Sequence, residues 1–365
     1  MENVNVNNTA LILNDDGSTN WDATLESLGI STKKLLKTKT SSWTMPEWVK
    51  GWIALIPALI FLILFMIYPI LNTFVMSFVN NFYWVGNSGS SFVITNYIAA
   101  LNNSRGGVEV SWGVENYVSV LSDPVFIRAL GNTGLIVIIS VPLTIVIGLL
   151  IAVCLNAIKP LQGFYQTVFF LPYVTNTIAL GMVFSAMFSA RDGGMVNIFL
   201  SIFGIKSKHW LDINAKYWDM FFVIVVYSIW NGLAFKILVF MSGLATIDKQ
   251  YYDAARIDGS SKVTIFRRIT VPLLSPQILY ITITSFIGAC KSYSQIISLF
   301  GGGKSDFGGA DKEKWITVVG YIVKLIDSTN DAAAGRGAAG CVILLAIVMI
   351  ITAVQFGVSK TRVHY

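Results

Sequence analysis

The chain has 365 residues, 54% hydrophobic and only 13% charged, with a formal net charge of +6. The apolar excess is gathered into runs of about 20 residues, the length a helix needs to cross a bilayer's hydrocarbon core, so a soluble protein is excluded. Nucleic-acid binding, metal chemistry and a disulfide framework are also disfavoured: Lys and Arg are scattered between apolar runs, there are two histidines, and Cys154, Cys290 and Cys341 each fall within such a run.

The first 50 residues are polar, rich in Asn, Ser and Thr, and carry Lys33, Lys34, Lys37, Lys39 and Lys50. They are too long and too mixed for a signal-peptide leader. A cytoplasmic tail is expected, with a short amphipathic segment near 21–36. Trp43, Trp48 and Trp52 flank the point where the chain meets the membrane, a depth that indole rings favour. The first span is expected over 52–78, with Pro57 and Pro69 as kink points. A polar segment follows at 80–128. The second span is about 133–155, and a tight turn at 156–163 holds Lys159 and Pro160. The third is about 168–188, and beyond a polar loop at 191–218 the fourth covers 220–244. The fifth is about 276–300, a glycine-rich outer loop takes 301–336, and the sixth covers 340–355. The expected architecture is an all-α membrane protein, with residues 1–50 as a polar tail and 51–365 as a six-span domain.

Six spans put both termini on one side. Positive residues near the membrane concentrate in the N-terminal tail, the turn at 156–163, the segment between the fourth and fifth spans, and the C-terminal tail with Lys360 and Arg362. The positive-inside rule assigns these four to the cytoplasm, a moderate bias because Lys206, Lys208, Lys312 and Lys314 lie in outer loops. No internal repeat is visible, which argues mildly against an inverted-repeat carrier.

Ionisable groups inside a span are costly and face a cavity, a partner or an interface. Lys291 lies mid-span in the fifth, and on a continuous helix it shares a face with Gln295, with Gly288 a turn before. That face would offer a donor, an amide and room for a sugar ring, or alternatively a bridge to a neighbouring helix. Lys236 in the fourth span is expected to snorkel or to meet another subunit. Tyr227 with Asn231, and Tyr173 with Asn176, are aromatic–amide pairs of the kind that suit sugars; Tyr293 adds a further ring. Such groups also serve as interhelical glue, the commoner role for any one of them.

Between the fourth and fifth spans lies the segment 251–274, YYDAARIDGSSKVTIFRRITVPLL, polar and rich in small residues. It reads as a short helix, a glycine break at Gly259, a second amphipathic segment and a proline opening the next apolar helix. Asp253 is placed to cap or charge the first turn, and Ala254 and Ala255 present little bulk. Ile265, Phe266 and Ile269 form one stripe, with Arg267 and Arg268 directed elsewhere.

Asp253-Ala254-Ala255, Gly259, Ile269, Val271 and Pro272 keep the full spacing of a known pattern, E-A-A, three residues, Gly, nine residues, Ile-x-Leu-Pro. That is the cytoplasmic signature loop of the membrane subunits of binding-protein-dependent ABC importers, and the chain resembles that family. Asp258 and Phe266 match the form common in carbohydrate importers. So do Val114-Glu115-Asn116-Tyr117, Leu121-Ser122-Asp123-Pro124, Ala129-Leu130-Gly131-Asn132-Thr133 and Leu171-Pro172-Tyr173, and the Lys291 segment is similar to a Lys-x-Phe segment of such permeases. The resemblance covers roughly 113 to the C-terminus, and the chain is similar to the larger membrane subunit of maltose-type systems.

The resemblance implies a coupling loop at 248–272 in which Asp253, Ala254, Ala255, Asp258, Gly259, Phe266 and Pro272 serve contact with an ATPase. It further implies a second homologous permease, two ATPase subunits, an extracytoplasmic sugar-binding protein, and a bacterial-type cell membrane as location. This chain has no Walker A pattern, since Gly301-Gly302-Gly303-Lys304 lacks the spacing, so ATP and magnesium would be held by the partner ATPase and this chain would bind no cofactor and be no enzyme. The substrate expected is a neutral sugar, because Lys291 is the one cation credited to the midplane; glycerol phosphate, a polyol or a peptide is the alternative cargo. A secondary transporter would have no use for the signature loop and would carry carboxylates inside its spans, where none is found.

Overall fold

The computed structural model describes residues 23–24, 46–80, 111–158, 162–190, 194–301, 306–308, 313–327 and 333–359. By its contacts the chain divides into two units, Met1–Tyr68 and Pro69–Tyr365. The expected tail segment at 21–36, apart from Ala23 and Thr24, and most of the loop at 80–128 lie outside the described residues.

In the first unit, α1 (Glu47–Leu62) carries Pro57 inside it and is followed by one π-helical turn, Ile63–Ile67. Phe61 and Phe65 stack with centroids 5.9 Å apart, yet Phe65 is 74% exposed. A helix this apolar with its side chains uncovered is one whose natural solvent is lipid.

The second unit takes α2 (Tyr68–Ser77) from its second residue, Pro69, and continues with a small antiparallel ribbon, β1 (Val79–Asn80) against β2 (Ser111–Trp112), with Val79 opposite Trp112. This ribbon is a minor departure from the all-α expectation. Next come α3 (Glu115–Ser122) and α4 (Pro124–Ala157). Asp123 caps α4 through Val125 N at 2.8 Å, with Pro124 at the first position, where its missing N–H costs nothing. The remaining elements are α5 (Gln162–Val174), α6 (Thr177–Met187), α7 (Met195–Ile202), α8 (Tyr217–Thr246), α9 (Lys249–Ile257), α10 (Lys262–Ile265), a π turn (Phe266–Thr270), α11 (Val271–Leu273), α12 (Ser275–Cys290), α13 (Ser294–Leu299), α14 (Val318–Asp327) and α15 (Ala333–Ser359).

Four described helices are long and apolar enough to cross a membrane: Trp48–Ser77, Pro124–Ala157, Tyr217–Thr246 and Ala333–Ser359. Two bent pairs raise the number to six if each is one span. The third expected span is one of them, α5 and α6 meeting at 98°. Thr175 and Asn176 interrupt it, and the Asn176 Oδ1 accepts from Ile178 N at 2.8 Å, capping α6 as a new helix. The other pair is the run Lys262–Leu273 with α12, meeting at 68°. Within the fifth expected span, α12 ends at Cys290 and α13 starts at Ser294.

α4 and α8 are the central pair, and they pass through two hydrophobic clusters. One holds Phe126 and Ile136 from α4 and Met220, Ile224 and Tyr227 from α8, with Ile296 and Trp315. The other holds Leu149 and Ala152 from α4 and Ile237, Phe240 and Leu244 from α8, with Leu274 and Ile281. Small residues allow the helices this approach: a Cβ on Gly148 would meet Lys236 Cβ at 3.2 Å, and one on Gly232 would meet Thr144 Cγ2 at 3.3 Å. At the end nearer the first cluster, Asn132 Nδ2 donates to Ile316 O at 2.8 Å and to Lys314 O at 3.2 Å, while its Oδ1 accepts from Tyr217 OH at 2.8 Å. One amide thereby ties the segment before α14 to both central helices.

Candidate functional site

The segment after α8 forms a bracket. Asp248, not Asp253, caps α9, its Oδ1 accepting from Gln250 N at 3.0 Å. Asp253 lies mid-helix, exposed, and pairs with Arg256 at 3.0 Å. The helix closes with Ser260 N donating to Ala255 O and Gly259 N to Arg256 O, both near 3 Å. This is the Schellman arrangement, which needs a left-handed residue, and Gly259 supplies it at φ +70°. Asp258 is the residue between helix and glycine. Ala254 is exposed and Ala255 half-buried, so the small-residue edge of α9 stays open, beside Tyr251 and Ile257 at 56% and 86% exposure.

Beyond the glycine, Ser261 caps the return run, its Oγ accepting from Thr264 N at 3.3 Å. Phe266 packs against the second cluster while Arg267 and Arg268 face out. Pro272 does not open the fifth apolar helix. It sits in the last turn of the run Lys262–Leu273, just after the π turn Phe266–Thr270, and Pro276 is the proline in the first turn of α12. Tyr252 OH lies 3.3 Å from Thr270 Oγ1 and links α9 to that run.

The second feature is a cavity of about 250 Å3 among α4, α8 and α12. It occupies the gap between the two hydrophobic clusters: Ser140 and Thr144 from α4, Ser228, Gly232 and Lys236 from α8, and Thr284, Ser285 and Gly288 from α12 line it, with Ser292 and Gln295 beyond the break. Gln295 lies in α13, beyond the break at 291–293, and its Nε2 donates to Asn231 Oδ1 at 3.0 Å. Ser140 Oγ is buried and has no hydrogen-bond partner among the described residues. A cluster of hydroxyls and an amide in an otherwise apolar bundle suits a ligand that presents hydroxyls of its own.

Of the seven residues expected along a pathway, Gln295 lines this cavity and Asn231 orients it. Lys291 terminates α12 and is exposed, so it shares no helical face with Gln295. Tyr293 lies in the break, its ring 6.2 Å from that of Phe307. Tyr227 is 1% exposed and donates to Thr177 O at 2.7 Å, which holds the bend between α5 and α6. Asn176 is the cap of α6, and Tyr173 is 55% exposed, stacked on Phe235 at 6.0 Å. Lys236, expected to snorkel or to meet another subunit, is buried within this chain at 9% exposure. The signal overlooked was small and polar residues at four-residue spacing inside apolar helices, Ser140 with Thr144 and Ser228 with Gly232 and Lys236, which places them on one face.

Apolar helices around a polar cavity, with a charged bracket on the same chain, define a membrane-transport protein. Residues 144–363 match the model of the binding-protein-dependent transport system inner membrane component, and the chain belongs to that family. It is 34% identical over 244 residues to the arabinooligosaccharides transport system permease protein AraP of Halalkalibacterium halodurans, covering 67% of this chain and 73% of that one. It is 29% identical over 315 residues to the lactose transport system permease protein LacF of Rhizobium radiobacter, covering 86% and 95%. A chain in the crystal structure of a bacterial alginate ABC transporter in complex with alginate pentasaccharide-bound periplasmic protein shares the fold, with a TM-score of 0.68 at 18% identity over 86% of this chain and 95% of that one.

Proposed function

We propose that the chain is a six-span permease subunit of an ATP-driven importer, forming half of the path for a sugar or oligosaccharide delivered by an extracytoplasmic binding protein. The observation that carries this reading is the bracket: a short, exposed helix closed by a left-handed glycine and returned to α12. Only a transporter driven by a separate ATPase has a use for such a docking element. The names of relatives, for lactose and for arabinooligosaccharides, support a saccharide as the cargo.

In this reading both termini and the bracket face the cytoplasm of a bacterial-type cell. ATP and magnesium are held by two ATPase subunits, and a second, homologous permease completes the path. Asp253 meets the ATPase rim, Ala254 and Ala255 permit close approach, Asp258 and Gly259 set the turn, and Phe266 and Pro272 transmit the movement to α12. Closure of the ATPase pair then rocks the helices around the cavity between inward- and outward-facing states.

Purification of the tagged chain from its native membrane tests the assembly. A second permease and an ATPase should co-purify, with ATP hydrolysis stimulated by a saccharide-loaded binding protein; a lone chain in mild detergent would sink the reading. In the recovered complex, Gly259→Val should leave ATP hydrolysis and abolish its coupling to uptake, whereas Gly259→Asn, which tolerates a left-handed backbone, should retain most of it. Normal uptake by the valine variant would remove the coupling role.

A further inference from the structure

Lys236 sits near the middle of α8, 9% exposed, against the cavity. Its Nζ donates to Gly232 O at 3.2 Å, one turn back on its own helix. The direction matters. Ten residues separate Lys236 from the end of α8 at Thr246, roughly 15 Å along the axis, and the ammonium points away from that end. Snorkelling toward the interface is therefore not what the side chain does.

An ammonium group carries three donors and no acceptor. Among the described residues no carboxylate pairs with Lys236, and every other polar group lining the cavity is neutral. Hydroxyls from Thr144, Ser228, Thr284 and Ser285, together with the Gln295 amide, match the hydroxyl edges of a sugar. They cannot neutralise a charge. A cation in a span is retained where something pairs with it, and this one lines the cavity together with Gly288, where an added Cβ would meet nothing within 4 Å.

The geometry points to a cargo that brings the missing charge: a saccharide bearing a carboxylate, of uronic-acid type, with its acid group on Lys236 and its hydroxyls on the surrounding serines and threonines. This rests on the reading of the cavity as the transport path, and it replaces the neutral sugar expected from the sequence. That expectation counted Lys291 as the midplane cation and set Lys236 aside.

The test uses the complete importer in lipid nanodiscs. Binding of galacturonate and glucuronate di- and trisaccharides is compared with that of galactose, glucose and xylose oligosaccharides of equal length, for wild type, Lys236→Met and Gly288→Phe. The wild type should bind uronates at least tenfold more tightly than their neutral counterparts, and Lys236→Met should erase that preference. Equal or better binding of neutral saccharides by the wild type, an unchanged preference in Lys236→Met, or no binding of any probe would overturn the inference. So would loss of the partner permease from Lys236→Met, which would assign the counter-charge to that subunit. Gly288→Phe separates the two levels: if it binds and transports as wild type does, the cavity is not the path and the reading beneath fails as well.

Discussion

At the scale of single residues, the Asp123 carboxylate serves two elements. Its Oδ1 caps α4, and its Oδ2 accepts from Tyr321 OH on α14 at 2.8 Å, across nearly two hundred residues of sequence. Burial, that hydrogen bond and the carboxylate's charge push the Tyr321 phenol up from its ordinary value. Because the folded value is raised, the stability tied to this proton is intact below about pH 10 and is lost as pH rises beyond it. Tyr321→Phe should lower stability by about 1.5–3 kcal/mol, the worth of a hydrogen bond to a charged group, measurable as a fall in Tm of the detergent-solubilised complex. It should also remove the steepest part of the alkaline loss. Asp123 stood in the sequence only as part of the Leu121-Ser122-Asp123-Pro124 match; its cap on α4 and its second partner Tyr321 came from the structure, because nothing local connects Asp123 to Tyr321.

At the scale of elements, the break in the fifth span brings Gln295 to the cavity, and the break in the third sets where α6 meets α13. Both segments read as continuous apolar runs, since hydropathy sums over a window and does not register two or three residues that change direction. α6 and α13 then cross so closely that a Cβ on Gly181 would lie 1.8 Å from Ser298 Oγ and 2.4 Å from its Cβ. Gly181→Ala should therefore cost about 1–3 kcal/mol through overpacking, read as reduced Tm and reduced yield of assembled complex. Adding Ser298→Gly removes both offending atoms and should restore most of the loss; no recovery would mean that the crossing is set elsewhere. The bracket was far more legible. Its glycine, its stripe of Ile265, Phe266 and Ile269, and its outward arginines follow from spacing alone, whereas the cap fell to Asp248 rather than Asp253 and the opening proline to Pro276 rather than Pro272.

At the scale of the whole molecule, α4 and α8 carry two apolar clusters with a polar gap between them. Such a bundle is stiff at both ends and accessible in the middle, which suits a path that opens alternately to either side. Filling the gap should separate stability from transport. Gly288→Phe places a ring where an added Cβ meets open space, so assembly and Tm should stay near wild type while uptake falls at least tenfold. Uptake at the wild-type rate would show that the cargo passes elsewhere.

Composition and periodicity alone determined that this is a helical membrane protein, where most of its spans lie, and which segment forms the bracket. These are one-dimensional properties: apolar length is set by bilayer thickness, and a left-handed turn is set by a single glycine. Which polar residues meet was decided only by tertiary structure. Gln295 reaches the cavity because the chain breaks at Lys291, Tyr227 is spent on the bend at Thr177, and Lys236 is buried because Gly148 and Gly232 let two helices close around it. A residue's place on its own helix follows from its number. What lies opposite depends on where other helices bend and how near they come, and no local pattern encodes that distance.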